Sequence, residues 1–208
     1  MIRFLFKFIT KAKLWDWFLS HPMAHLKLRL WDYPKFPMKK YHEIVKILDE
    51  KPGFYVFVGA DMSSFSMKVN YLASGSKWAH AGLILPRKAG GPVQILHSIV
   101  TGVCIWDLLD YLREVDNFAL IRVDVSEENI SGVESMIEYA KVHYIGVPYD
   151  NSFDLGDKKS LYCSELVYNI FEGFVDKPCF DPELIAEMPF FTPDDVYECG
   201  EIVLNRST

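Results

Sequence analysis

The stretch Trp78-Ala79-His80-Ala81-Gly82-Leu83-Ile84-Leu85, then Pro86-Arg87-Lys88-Ala89-Gly90-Gly91-Pro92, then Val93-Gln94-Ile95-Leu96-His97-Ser98-Ile99-Val100 decides how this chain is read. Two β-rich runs flank seven residues of turn chemistry, the pattern of an antiparallel hairpin. Centring the turn between Lys88 and Ala89 sets Leu85 against Pro92, Ile84 against Val93 and His80 against His97. The two histidines then share one sheet face, about 5 Å apart at Cβ. A slip of one residue would send them to opposite faces. Gly82, two residues from His80, points to the same face and leaves room there for a substrate or an approaching helix.

Working outward, Tyr41 to about Glu50 reads as a helix, Pro52-Gly53 as a turn, Phe54 to Gly59 as a strand and Ser64 to Ala73 as a helix. Beyond the hairpin, Phe118 to Val125 is a strand. The helix after it takes Ser126 as N-cap and buries a stripe of Ile130, Val133, Ile137 and Ala140. A further helix runs from about Leu161 to Gly173, the acidic pair Asp194-Asp195 after Pro193 marks a helix start or a solvated turn rather than a glycosidase dyad, and Gly200 to Leu204 is a short strand. Strands in the middle, helices on both sides and no alternating βαβ series indicate an α+β fold.

With 208 residues, 50% of them hydrophobic and 24% charged, the chain buries a real core, which excludes disorder and a charged coiled coil. The net charge of -6 excludes nucleic acid as a general partner, because phosphate neutralisation needs clustered Lys and Arg. That charge is unevenly spread: residues 1–40 hold nine basic and two acidic residues, so the rest carries -13. Within that segment Phe4, Leu5, Phe8, Ile9, Ala12, Trp15 and Leu19 recur at helical spacing. A basic amphipathic arm over residues 1–40 therefore precedes a domain over 41–208, and it suits peripheral contact with an anionic membrane, packing on its own domain, or a homo-oligomer interface.

No apolar run approaches the roughly 18 residues of a membrane-spanning helix. Lys7, Lys11 and Lys13 break the one stretch that resembles a signal peptide. A cytoplasmic, at most membrane-associated protein is expected. Four cysteines without a CxxC pair make neither a disulfide scaffold nor a zinc ribbon, and Cys104, His97 and Cys163 lack short ligand spacings, so no metal or cofactor is expected.

Cys163 is the candidate nucleophile. With Ser160 as N-cap it stands at the third helical position, where unpaired N–H groups and the positive end of the dipole favour a thiolate. A lone cysteine is ordinarily a small buried residue. Nucleophilic use requires an imidazole to take its proton and a third polar group to orient the imidazole, which the His80 and His97 pair could supply.

Two segments carry a resemblance to a known family. Ala73-Ser74-Gly75-Ser76-Lys77 with Trp78 to Ile84, and Val147-Pro148-Tyr149-Asp150 with Phe153 and Leu161-Tyr162-Cys163-Ser164-Glu165-Leu166-Val167, resemble the signature segments of the YiiX-like branch of circularly permuted, NlpC-type papain-fold proteins, over about residues 52 to 204. The resemblance implies a permuted papain-like core: a central antiparallel sheet or small barrel with flanking helices, histidine preceding cysteine in the chain. Carried onto this sequence it makes Cys163 the nucleophile, His80 the general base and His97 the third polar residue, where relatives often carry Glu. Tyr149, Gly82, Ser164 and Asp61 become substrate-binding candidates, Asp61 through a Gly59-Ala60-Asp61 segment one residue longer than the family's Gly-Asp. The implied activity is hydrolysis of an amide bond through a thioester, with peptidoglycan stem peptides as first substrate. The alternatives are a lipid-directed acyltransferase or thioesterase at a membrane surface, and a non-catalytic binding module.

Overall fold

The computed structural model describes residues 38–61, 77–87, 90–153, 155, 159–175 and 191–206, together with the backbone of two short strands at 183–185 and 188–190. Helix α1 (Met38–Glu50) leads into β1 (Phe54–Ala60), all seven of whose residues are buried. An unbroken apolar run is what a strand covered on both faces requires. The chain continues through β2 (His80–Ile84), β3 (Gln94–Ile99), β4 (Gly102–Asp107), the short α2 (Leu108–Tyr111) and β5 (Asn117–Val123). After a single 3-10 turn come α3 (Ile130–His143), α4 (Cys163–Phe171), the small β6 (Glu183–Ile185) and β7 (Met188–Phe190) pair, α5 (Pro193–Glu198) and β8 (Gly200–Arg206). Six strands form one antiparallel sheet in the order β4-β3-β2-β1-β5-β8. Its two ends are not paired with each other among the described residues, so of the two expected forms the open sheet is the one adopted.

Alternation along the strands divides the core in two. Phe54, Val56, Val58, Ala81, Leu83, Leu96, Ala119 and Ile121 face one side, where Val133, Ile137 and Ala140 of α3 and Leu166, Val167, Ile170 and Phe171 of α4 cover them. Tyr55, Phe57, Ile84, Ile95, Phe118 and Leu120 face the other, against Ile44 of α1 and Leu108, Tyr111 and Leu112. Ile130, expected on the buried stripe of α3, is 40% exposed at the helix start. Of the two readings at Asp194-Asp195 the helix start is the one present, with Thr192 as N-cap and its hydroxyl accepting from the Asp195 N–H. The expected helix at 64–73 and the arm through residue 37 lie outside the described residues.

The hairpin register differs from the sequence expectation by two residues. Gly82, not His80, stands opposite His97, with Leu83 against Leu96 and Ile84 against Ile95. Pro92 is the physical reason, since it has no N–H to give the ladder. The turn closes one residue later, with the Leu85 N–H donating to the Gln94 carbonyl and Gly90 in the left-handed region at φ 77°. A shift of two preserves the face, so the histidines still meet, as diagonal rather than direct neighbours. The room at Gly82 is taken from within the sheet: a Cβ there would lie 2.7 Å from Ile95 Cδ1 and 3.1 Å from His97 Cβ, so it is not open space for a substrate.

β2 and β3 pair only from Gly82 onward. Where they part, the buried Ser98 hydroxyl donates to the Leu161 carbonyl at 2.5 Å, fastening the approach to α4 onto β3. Residues 146 and 147 run along the outer edge of β4, exchanging bonds of 2.9 Å with Val103, and the Pro148 carbonyl then accepts from the Leu161 N–H at 3.0 Å. Replacing Ser98 by Ala strips a buried carbonyl of its donor, and about 1–3 kcal/mol of stability should be lost. A urea midpoint lowered at unchanged slope is the measurement that checks it.

Candidate active site

Helix α4 begins at Cys163 itself, with Tyr162 as its extended N-cap residue. Ser160 therefore lies short of the cap, and Cys163 is the first rather than the third helical residue. Glu165, buried in the first turn, supplies the closing contact: its carboxylate accepts from the Tyr162 N–H at 3.3 Å. The Tyr162 phenol accepts from the Phe191 N–H at 3.0 Å, so the helix start is anchored on both sides. The sulfur lies 3.7 Å from Ser164 Oγ and accepts from the backbone N–H of Ala81, the residue after His80. That N–H sits on β2 just before its pairing with β3 begins.

His80 and His97 meet through Nε2 of the former and Nδ1 of the latter, 3.1 Å apart, with their rings nearly perpendicular. Around them stand Tyr111, with ring centroids 5.3 Å from His80 and 5.4 Å from His97, and Trp106, 5.1 Å from His97. Tyr111 is placed by α2, whose N-cap Asp107 accepts from the Leu109 N–H at 2.9 Å and whose Leu108 is buried in the core. Two polar atoms of this cluster, His97 Nε2 and the Tyr111 hydroxyl, are buried with no hydrogen-bond partner among the described residues. No hydrogen bond joins Cys163 to His80 among the described residues; such contacts often tighten only when substrate binds.

Burial controls the protonation of the site. It pushes the Cys163 thiol above its usual range, outweighing the N–H of Ala81, Ser164 and the helix's own first N–H, which favour the thiolate. The low-pKa thiolate expected from the helix terminus alone is thus reversed by desolvation. Burial, and secondarily the neighbouring His97, holds His80 well below the ordinary histidine range. Burial alone lowers His97 to about 4. At neutral pH the resting site is a thiol beside two neutral imidazoles. Tyr111 and Tyr149 are held well above the usual phenol range, first by burial and then by the charge Cys163 would carry, so both remain donors.

The other sequence candidates are distributed around this centre. Ser164 is buried beside the sulfur, and Tyr149, half-buried, is part of an aromatic run with Phe153 and Tyr162 under the helix start. Asp61 follows β1 directly, at the end where Gly59 pairs with His80. Cys104 stands opposite His97 on β4, and Cys199 is buried in the core; both are free thiols. Cys179 lies outside the described residues. Among the described residues no group of three or more His, Cys, Asp or Glu side chains is placed to hold a metal ion. Tyr111 and Trp106 were not legible as site residues. The signal was the unread run Gly102-Val103-Cys104-Ile105-Trp106 after a Val100-Thr101 turn, which makes a third hairpin strand and brings these aromatics onto the histidine face.

A cysteine at the head of a helix packed on an antiparallel sheet, with a histidine pair on the adjoining strands, is the layout of a papain-like thiol amidase. The chain belongs to the permuted papain-like amidase enzymes of the YaeF/YiiX, C92 family, whose model matches residues 51–201. Among solved structures it is similar to the metalloprotein yiiX from Escherichia coli O157:H7, at 18% identity and a TM-score of 0.53 over 74% of this chain and 88% of that one. No curated protein matches it. No helix among the described residues is long and apolar enough to cross a membrane.

Because the folded His97 titrates at about 4 and an unfolded histidine near 6.5, the unfolded chain takes up a proton that the native site refuses. Stability from this residue is whole above pH 6.5 and falls as pH falls towards 4. Between pH 7 and 5 the loss should be about 2 kcal/mol. Urea titrations of wild type and His97→Asn at both pH values check this, the variant showing the smaller pH dependence.

Proposed function

We propose that Cys163, His80 and His97 act together to cleave an amide bond of a small peptide or peptidoglycan stem peptide through a thioester. The observation that carries this reading is the Nε2 to Nδ1 contact of 3.1 Å between the histidines. With its Nε2–H donated to His97, His80 keeps Nδ1 as a free lone pair, the tautomer a general base needs. His97 orients the ring without a formal charge, a weaker support for imidazolium than a carboxylate would give.

Since the resting pair is neutral, proton transfer accompanies attack. The Cys163 Sγ–carbon bond forms as the thiol proton passes to His80 Nδ1 and the carbonyl pair moves onto oxygen. Collapse then expels the amine, which takes that proton, and leaves a thioester for water to hydrolyse with His80 again as base. Ser164, Tyr149 and Asp61 line the approach in this reading. A soluble muropeptide carrying the stem peptide should release a new amine with wild-type protein and none with Cys163→Ala. Equal release by both would refute the reading.

Thiol alkylation by a neutral haloacetamide tests the resting state separately. Cys163 should react with a pH midpoint above the usual cysteine range, because burial raises its pKa. A plateau already reached at pH 6 would instead demonstrate a resting thiolate–imidazolium pair.

The excess of basic over acidic residues in 1–40 favours a second substrate class, acyl groups presented at an anionic lipid surface. Co-sedimentation of the full chain with anionic but not zwitterionic vesicles, weakened by salt, is the outcome this version requires. Equal, negligible binding to both removes it.

A further inference from the structure

Among the described residues Phe153 alone, glycines apart, holds its backbone in the left-handed region, at φ 53°. That conformation crowds Cβ against the carbonyl oxygen, and a bulky side chain keeps it only where the surroundings over-determine it. For a turn alone, Gly or Asn would serve without strain. Two features hold Phe153 there. The buried Asp150 carboxylate accepts from the Ser152 N–H at 2.7 Å and turns the chain just ahead of it. The Phe153 ring then stands edge-on to two tyrosines: Tyr149, with centroids 6.3 Å apart at 90°, and Tyr162, 5.3 Å apart at 64°.

The place of the sulfur depends on Tyr162. This residue is the extended cap of α4, so its direction sets where Cys163, the first helical residue, puts Sγ. Its N–H is held by Glu165 and its phenol by the Phe191 N–H, while the Pro148 carbonyl fastens the Leu161 N–H beside it. These bonds fix the backbone and the far tip of the side chain. The ring between them is held by packing, and Phe153 supplies an edge-to-face contact there. We propose that Phe153 is a positioning residue for the nucleophile, its ring setting Tyr162 and through it the line along which Cys163 Sγ meets the acyl carbon. The inference rests on Cys163 acting as the nucleophile. Phe153 touches no reacting atom in this scheme. The strained backbone is kept because it is what returns the ring to Tyr162, and displacing a nucleophile by a fraction of an ångström is enough to slow attack.

Acylation of the full chain by p-nitrophenyl acetate reads the placement of the sulfur. The reaction forms the Sγ–carbon bond, breaks the bond to nitrophenolate and passes the thiol proton to His80. Phe153→Asn accepts the left-handed backbone without strain and removes the ring. In protein that circular dichroism shows to be fully folded, it should lower the saturating acylation rate of Cys163 by about 10- to 100-fold. The half-saturating ester concentration should stay within about twofold of wild type. Phe153→Tyr, which keeps the ring, should recover the rate to within about threefold. A wild-type rate in folded Phe153→Asn overturns the proposal whatever its urea midpoint, because the ring would then only fill space. An equal loss in Phe153→Tyr, or a change confined to the half-saturating concentration, overturns it as well. If Phe153→Asn does not fold, Phe153→Leu, which keeps apolar bulk without a ring edge, carries the same expectation and the same refutation. Nitrophenolate released as fast by Cys163→Ala as by wild type would instead defeat the nucleophile assignment, and with it this inference.

Discussion

The parting of β2 and β3 beyond the Gly82–His97 pair is the constraint on which the site depends. Paired strands use their N–H groups on each other. Here the ladder stops two residues short of the start of β2, the Ala81 N–H turns to the Cys163 sulfur, and Ser98 takes hold of the chain entering α4. Helix α4 packs its apolar face on one side of the sheet while the histidines lie on the other. Only an opening at the level of the strands can bring a helix-borne sulfur towards histidines across the sheet. The edge segment through Val147 and Pro148 supports that opening from outside β4.

Desolvation dominates the electrostatics of what is assembled there. A helix terminus, two nearby N–H donors and a hydroxyl all favour a thiolate, and burial outweighs them. Among the described residues no carboxylate is paired with either imidazole ring, and burial sets the cost of charging them. The aromatic enclosure that fixes the geometry of the pair is the same feature that keeps it neutral. A site of this kind generates charge during reaction rather than storing it beforehand, which makes donors aimed at the developing oxyanion more consequential.

Local signals in the sequence were strong where a single residue type had one physical option. The run Phe54 to Gly59 read as a strand, Asp194-Asp195 after Pro193 as a helix start or solvated turn, and the segment from about Leu161 to Gly173 as a helix bearing Cys163, and the structure has the strand and both helices. Register was less accessible, because it was inferred from symmetry of the turn while Pro92 and Gly90 shifted the closure. The face survived because a shift of two is invisible to alternation. Cap position failed similarly: Ser160 is a good capping residue, but the buried Glu165 fixed the helix start at Cys163 through the Tyr162 N–H.

By itself, then, the sequence determined the class of fold, the helix that bears the cysteine and the strands that bear the two histidines, because hydrophobic period and turn chemistry are local properties. The tertiary structure alone decided that the sulfur takes the Ala81 N–H and that the histidines bond diagonally. It also decided that Tyr111 and Trp106 enclose them and that the thiol rests uncharged. These depend on which distant segments exclude water from the same few ångströms, and no spacing along the chain encodes that directly.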